Sequence, residues 1–286
     1  MKDFCIICDS ACDLSRQMLK DRDVDMVSLH LHFDGDQRQY SCYDIKPDEF
    51  YIKMRSGCSA KTSGVNVEEF TATFEPILRN GNDIIYLGFS SALSMTYSAA
   101  HLAASSLSRK YPKRKIAIID SLCASAGIAL LLDLALQKKN SGASFDEVVK
   151  YIEAMKHKIN HWFTVDDLEY LKRGGRISKG SAFFGNALGI KPLLHVDNSG
   201  CLVNKAKIRG RHATLLAMCE KYMELKDGHH DIYISHADCI DDAKLLSILI
   251  KEKFNTNTGI ITNVGPVIGS HAGPGTLALF FVGKRR

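Results

Sequence analysis

The sequence predicts a two-domain α/β protein whose N-terminal domain is a mostly parallel, Rossmann-like sheet sandwiched by helices. Short apolar runs alternate with helical segments, as in parallel sheets that are covered on both faces. Three of these runs end in small polar pairs, at Asp9-Ser10, Ser90-Ser91 and Asp120-Ser121. Because the carboxyl ends of parallel strands meet at one edge of a sheet, we expect a ligand-binding crevice there.

Turn residues and caps divide the first half into elements. Asp13 is predicted to cap a helix, a hairpin turn is expected at 34–36, and Pro47 suits the first position of a helix. The segment 57–66 is rich in Gly, Ser and Thr, which predicts a turn or ligand loop with Thr62 and Ser63 as donors. The predicted strands are 3–9, 24–33, 39–43, 84–87 and 115–120, and the predicted helices are 14–21, 47–54, 67–79, 91–107, 124–138 and 145–159.

The second half is predicted to form a mixed-sheet α/β domain. Helical spacing gives way to an apolar run at 162–165, so we place the boundary between domains 1–160 and 161–286. Asp166 with Glu169 resembles a capping box for a short helix ending at Gly174-Gly175. The remaining predictions are a hairpin of strands 190–196 and 202–208, helices 213–225 and 241–254, strands 231–236, 259–264 and 276–282, and a glycine-rich loop at 265–275.

Composition predicts a cytoplasmic globular protein without a membrane span. The chain has 286 residues, is 45% hydrophobic and carries a formal charge of +5, which does not by itself indicate a nucleic-acid partner. Nine cysteines in mostly apolar surroundings favour a reducing compartment. Cys5 and Cys8 have metal-ligand spacing, but they would point to opposite faces of a strand and no second pair completes the set, so no metal is expected.

The stretch 83–107 gives the strongest indication of a binding site. A buried strand breaks at 88–91, and Ser91 is a suitable N-cap for the helix that follows. The position that often carries a Glu or Gln to complete the cap is Ser94, so the helix brings no anion of its own. Free N–H groups with the hydroxyls of Ser90, Ser91, Ser94 and Thr96 suit the carboxylate or phosphate of a ligand, although serines that only cap a helix give the same pattern.

The glycine-rich segment 265–275 contains His271 just before a buried strand. It could hold a ligand-facing histidine against a close-packed backbone, or it could be a structural turn. The chain contains neither G-x-x-x-x-G-K-[ST] nor G-x-G-x-x-G, which argues against an ATP or dinucleotide site of its own and predicts no cofactor.

Two other classes of function remain open. Residues 88–92 approximate the nucleophile elbow G-x-S-x-G, which allows a serine hydrolase with Ser90, Asp238 and His271, although Ala92 replaces the closing glycine. Basic residues near two turns form either a solvated face or a docking or DNA-binding module; the lack of interleaved aromatics weakens nucleic-acid binding. They are Lys172, Arg173, Arg176, Lys179, Lys205, Lys207, Arg209 and Arg211.

Taken together, several segments resemble the DegV family, which includes the fatty-acid-binding subunit of bacterial fatty acid kinases. They are DSACDLS (9–15), KTSG (61–64), GFSSALSMTYSAA (88–100), IIDSLCASAG (118–127), LEYLKRGGRIS (168–178), KPLL (191–194) and GPVIGSHAGPG (265–275). The resemblance spans nearly the whole chain, and the set in this order is specific.

The resemblance implies a protein of the EDD fold that does no chemistry alone. It would hold one long-chain fatty acid, such as hexadecanoate (palmitate), in an apolar tunnel between the domains. Thr62 and Ser94 would hold the carboxylate with His271 nearby, and Ser63 and Ser91 complete the expected ligand-binding set. A separate ATP-dependent kinase subunit would convert the bound acid into an acyl phosphate, with Arg209 at the docking surface.

Overall fold

The structure, a computed structural model, describes residues 4–177 and 189–286. Ser178, the last residue of the 168–178 motif, Lys179 and the first residue of the predicted 3–9 strand therefore lie outside the described residues. The elements up to residue 155 are β1 (Phe4–Asp9), α1 (Arg16–Asp21), β2 (Asp25–Val27), β3 (His30–Phe33), β4 (Tyr40–Ser41), α2 (Pro47–Arg55), β5 (Ala60–Ser63), α3 (Val67–Arg79), β6 (Asp83–Gly88), α4 (Thr96–Lys110), β7 (Ile116–Asp120), α5 (Ala126–Asn140) and α6 (Phe145–Met155).

The later part of the chain, from residue 159 onward, contains both strands and helices. The elements are β8 (Ile159–Thr164), α7 (Glu169–Arg173), β9 (Ile190–Val196), β10 (Leu202–Arg209), α8 (Arg211–Leu225), β11 (Ile232–His236), α9 (Ile240–Phe254), β12 (Thr258–Asn263), α10 (Pro266–Ala272) and β13 (Leu277–Val282). Within the described residues, no helix is both long enough and apolar enough to span a bilayer.

A four-stranded parallel sheet organises the first half, in the order β2-β1-β6-β7. All six residues of β6 are buried, which agrees with the unbroken apolar run that predicted a central strand. The predicted α/β class with a mostly parallel N-terminal sheet is confirmed.

A six-stranded mixed sheet organises the second half, in the order β10-β9-β8-β13-β11-β12. Only β11 and β12 run parallel, and β9 and β10 form the predicted antiparallel hairpin. One cluster of buried side chains includes Ile85 of β6 and Phe280 of β13, so the main core is shared by both halves. The division at residues 160 and 161 stays a prediction.

A small antiparallel sheet of order β4-β3-β5 corrects two sequence predictions. The expected strand 24–33 is two strands in different sheets, because the chain crosses between them where the Leu29 amide donates to Ser10 Oγ at 3.0 Å. The expected loop 57–66 contains β5, in which Thr62 lies opposite Leu31 of β3. A composition rich in small polar residues concealed this short edge strand.

Several helix boundaries also differ from the predictions. Ser15, not Asp13, caps α1, since Ser15 Oγ accepts a hydrogen bond from the Met18 amide at 3.2 Å. Asp166 and Glu169 do not form a capping box, because Asp166 pairs with Lys191 at 2.6 Å. The predicted helix 145–159 consists of α6 followed by a 3₁₀ turn, and Ile159 is already the first residue of β8.

The segment 265–275, expected to be a loop, is mainly the helix α10, with Pro266 in its first turn. A Cβ atom on Gly269 would lie 2.5 Å from Tyr51 Oη, so this glycine permits close packing against α2. The glycines therefore reflect tertiary contacts of a helix as well as turn formation.

Candidate functional site

A cavity of about 270 Å³ lies between the two larger sheets and α10. Its walls are mostly apolar side chains from both halves of the chain, among them Leu29, Phe89, Phe163, Val196, Val264 and Phe280. The volume exceeds the ~150 Å³ of an engineered apolar cavity that binds benzene. A predominantly apolar cavity with a few convergent polar groups is typical of small-molecule sites.

Hydroxyl groups from two chain segments converge at one end of this cavity. Thr62 and Ser63 at the end of β5 and Ser94 just before α4 all line it. Ser94 Oγ lies 2.9 Å from Thr96 Oγ1, and a Cβ on Gly64 would lie only 2.7 Å from the same Thr96 oxygen. Gly64 thus allows β5 to approach the start of α4. Thr62 and Ser94 remain partly exposed, so this end forms the mouth of the cavity.

His271 occupies the last turn of α10 and joins this group. Its Nε2 lies 2.7 Å from Thr62 Oγ1, and its buried Nδ1 has no hydrogen-bond partner among the described residues. Burial, followed by the nearby positive charge of Arg176, lowers the pKa of His271 to about 4. The imidazole is therefore neutral at physiological pH. Gly174 leaves room for the ring, because a Cβ there would lie 2.2 Å from Nδ1.

Arg176 belongs to this candidate site, although its sequence context indicated only a basic surface segment. Its Nε donates to the Leu93 carbonyl at 3.1 Å and its Nη1 to the Gly174 carbonyl at 2.5 Å, and the side chain lines the cavity. Burial lowers the pKa of the guanidinium. Across residues 4–177 and 189–286, no carboxylate forms an ion pair with it. Among the described residues its half-buried charge has only carbonyl dipoles as partners, so an anion in the cavity would be favoured.

Ser91 does not cap α4 and does not share the contacts of Thr62 and Ser94. The helix begins at Thr96, after a turn. The Ser91 amide donates to Asp120 Oδ1 at 3.2 Å, and its hydroxyl also bonds to Asp120. The prediction of Ser91 as the N-cap was therefore wrong, because a carboxylate from the neighbouring strand binds the groups that were expected to face a ligand.

The three residues of the hydrolase alternative have separate partners. Ser90 Oγ donates to the Gly200 carbonyl at 3.0 Å, Asp238 binds Arg55 at 2.6 Å, and His271 contacts Thr62. Among the hydrogen bonds of the described residues, none joins two members of that set. Among the described residues, Ser90 therefore has no hydrogen-bonded general base.

The basic residues outside the cavity are largely paired or exposed. Arg211 lies 2.9 Å from Asp242, and Lys172 lies 2.9 Å from Glu169. Arg209 is exposed at the end of β10, opposite Ile190 of β9. The described residues contain no group of three or more His, Cys, Asp or Glu side chains arranged to hold a metal ion.

Comparisons with known proteins agree on one family. The family model described as "Uncharacterised protein, DegV family" matches residues 3–284. A DegV domain-containing protein of Clostridium perfringens is 41% identical over 289 residues, covering 100% of this chain and 99% of that protein.

Solved structures from two other bacteria have a similar fold. A fatty acid (stearic acid)-binding protein from Eubacterium ventriosum superposes with a TM-score of 0.90 at 26% identity, covering 98% of each chain. A DegV lipid-binding protein from Thermotoga maritima superposes with a TM-score of 0.86 at 28% identity, covering 99% of each chain.

Proposed function

The chain belongs to the DegV family, and from this premise we propose that it binds one long-chain fatty acid in its apolar cavity. The carboxylate would lie at the mouth, held by Thr62 and Ser94 with His271 and Arg176 beside it. The observation that carries the proposal is the arrangement of this cavity: its walls are apolar, and Arg176, which has no acidic partner among the described residues, lies beside hydroxyl groups at one end. Relatives described as lipid- and stearic-acid-binding support the same ligand class.

The hydrocarbon tail would supply most of the binding free energy. A sixteen-carbon acid has about fourteen methylene groups, each contributing about 0.8 kcal/mol on burial, or roughly 11 kcal/mol before the costs of ordering. Aromatic side chains such as Phe163 and Phe280 offer the apolar surface for this burial. We propose the space between the two larger sheets as the interdomain tunnel expected from the sequence.

The head group would be bound by neutral donors and one cation. If the neutral His271 donates from Nε2 to Thr62 Oγ1, the Thr62 hydroxyl hydrogen is free to bind a carboxylate oxygen. Ser94 offers a second hydroxyl, and Ser63 lies beside them. Arg176 would compensate the negative charge, because its own charge has no acidic partner among the described residues.

A separate ATP-dependent kinase subunit would act on the bound acid. A carboxylate oxygen would attack the γ-phosphorus of ATP, forming the acyl phosphate as the bond to ADP breaks. This step needs a partner, since the chain carries no phosphate-binding glycine motif of its own. The exposed Arg209 is the proposed docking residue.

Solvent extraction of the purified protein and mass spectrometry of the extract test the ligand. We expect one fatty acid per chain, and we expect the stripped protein to rebind hexadecanoic or octadecanoic acid with unit stoichiometry. The proposal would be refuted if the extract contained no lipid and the stripped protein bound neither acid in titration calorimetry. Adding a cognate kinase and ATP tests the transfer step separately, with acyl phosphate as the readout.

A further inference from the structure

A second polar group lines the same cavity away from the proposed head-group site. Ser125 Oγ lies 2.5 Å from Asp13 Oδ2 and 2.8 Å from Ser235 Oγ, and both serines line the cavity. All three side chains are buried, and Ser235 is 0% exposed. Asp13 Oδ1 also accepts a hydrogen bond from the Gly265 amide at 2.9 Å.

This polar group lies at the opposite end of α10 from His271. Gly265 immediately precedes the helix and His271 lies in its last turn, a separation of about 9 Å at 1.5 Å per residue. A ligand whose carboxylate contacts Thr62 and His271 would therefore bring a middle part of its chain, not its head group, towards Ser235.

Ser125 is held in a conformation that side chains rarely adopt. Its backbone has φ 56° and ψ −147° at the start of α5, a region that is costly for any residue except glycine. In this conformation the hydroxyl lies between Asp13 and Ser235. Strained residues of this kind concentrate at functional sites.

We propose that Asp13, Ser125 and Ser235 form a second polar subsite, which recognises a hydroxyl group carried part-way along the chain of a fatty acid. The inference rests on the proposed function and narrows its substrate class to include hydroxylated long-chain acids. Ser235 makes the direct contact with the ligand hydroxyl. Ser125 and Asp13 are positioning residues that orient the Ser235 hydroxyl.

The chain of hydrogen bonds from Asp13 through Ser125 to Ser235 allows Ser235 either to accept a hydrogen bond from a ligand hydroxyl or to donate one to it. When Ser125 donates to Asp13 and accepts from Ser235, the lone pairs of Ser235 remain free to accept from the ligand. Burial raises the pKa of Asp13 to about 7, so a protonated form that donates to Ser125 is also populated near neutral pH. The reversed chain leaves the Ser235 hydrogen free to donate to the ligand.

An unsubstituted acid still fits, because Ser235 keeps its bond to Ser125 when no ligand hydroxyl is present. A hydroxyl placed against purely apolar walls would lose its bonds to water without replacement. The affinity of a hydroxylated fatty acid therefore depends on the position of the hydroxyl along its hydrocarbon chain. Unsubstituted acids also bind.

Competition binding to the stripped full-length protein tests this inference. The probes are octadecanoic acid and a panel of hydroxyoctadecanoic acids that differ only in hydroxyl position. We expect one position, or two adjacent positions, to bind at least as tightly as octadecanoic acid, with the other isomers more than tenfold weaker. Ser235→Ala should weaken the favoured isomer about five- to tenfold and change octadecanoic acid less than twofold.

Two further variants keep the test interpretable. Ser125→Gly removes the middle hydroxyl at a positive φ that glycine accepts, and it should also remove the preference for the favoured isomer. Ser270→Ala is the matched control, because Ser270 is buried and donates to the Pro266 carbonyl within α10; it should leave both acids unaffected.

The outcomes separate this inference from the proposed function. A flat response across the isomers, or a Ser235→Ala effect that is equal for plain and hydroxylated acids, overturns the subsite while fatty-acid binding stands. If octadecanoic acid itself does not bind the wild-type protein, both proposals are wrong.

Discussion

Replacing Arg176 with glutamine tests the charge at the mouth of the cavity. Glutamine removes the positive charge and can still donate a hydrogen bond to the Leu93 carbonyl that Arg176 now contacts. A hydrogen bond to a charged group contributes about 1.5–3 kcal/mol, which corresponds to about ten- to hundredfold in Kd. We therefore expect hexadecanoic acid to bind Arg176→Gln ten- to hundredfold more weakly than it binds the wild-type protein.

The methyl ester of the same acid distinguishes charge from packing. The ester keeps the hydrocarbon tail but carries no negative charge, so its affinity should change less than threefold in the variant. Titration calorimetry or competition with a fluorescent fatty acid measures both ligands. Arg55→Gln is the matched control, since Arg55 is exposed and pairs with Asp238; it should alter neither affinity. Equal weakening of acid and ester would show that Arg176 only supports the loop and would refute the charge argument.

Four other substitutions have expected outcomes. Thr62→Ala and Ser94→Ala should each weaken hexadecanoic acid about five- to tenfold, the effect of one hydrogen bond, and unchanged calorimetric affinities would remove them from the head-group site. Gly174→Ala places a Cβ 2.2 Å from the present position of His271 Nδ1, so the ring must move; an unaltered imidazole NMR signal and unaltered binding would contradict this geometry. In the folded protein the pKa of Asp13 is raised to about 7 from its ordinary value of 3.8. Between pH 3.8 and pH 7 the folded state therefore binds a proton that the unfolded state does not, and the stability of the wild-type protein falls as pH rises through this range. Asp13→Asn should remove this pH dependence of stability. The difference between the unfolding free energies of the variant and the wild type, measured in urea, should therefore rise by up to about 3 kcal/mol from pH 5 to 8. A difference that stays constant with pH would show that Asp13 titrates normally.

The sequence was sufficient where local signals and tertiary contacts agree. The strand β6 has an unbroken apolar run and is buried throughout. The helix α3 spans its predicted residues 67–79, with a full capping box between Asn66 and Glu69. The boundaries of such elements are set by interactions between residues close in sequence, so they can be predicted from a single sequence.

Boundaries set by distant partners could not be predicted in this way. Ser91 has the residue type of an N-cap, but Asp120 from a neighbouring strand binds it, and α4 begins five residues later at Thr96. Gly269 indicated a loop, yet it lies inside α10 because Tyr51 packs where its side chain would be. In both cases the deciding contact joins residues far apart in sequence.

The candidate site was predicted in part. Thr62, Ser94 and His271 were singled out from separate segments, and the fold brings them to one end of a cavity, although their contact with a ligand remains a prediction. Arg176 was missed as a site residue because basic residues beside a turn are usually solvated. Its burial follows from its bonds to the carbonyls of Leu93 and Gly174, which no spacing rule indicates.

The charges at the two polar sites beside the cavity also favour one direction of entry for the proposed acid. A carboxylate beside Asp13 would face a buried acid that is partly ionised at neutral pH, and like charges in a low dielectric repel strongly. At the mouth, the same carboxylate would meet Arg176 and a neutral His271. The head group would therefore stay where Thr62 and Ser94 are partly exposed, within reach of a second protein, while the tail points inwards. This orientation is the one that the proposed phosphorylation by a separate subunit requires, because the opposite orientation would bury the reacting oxygen.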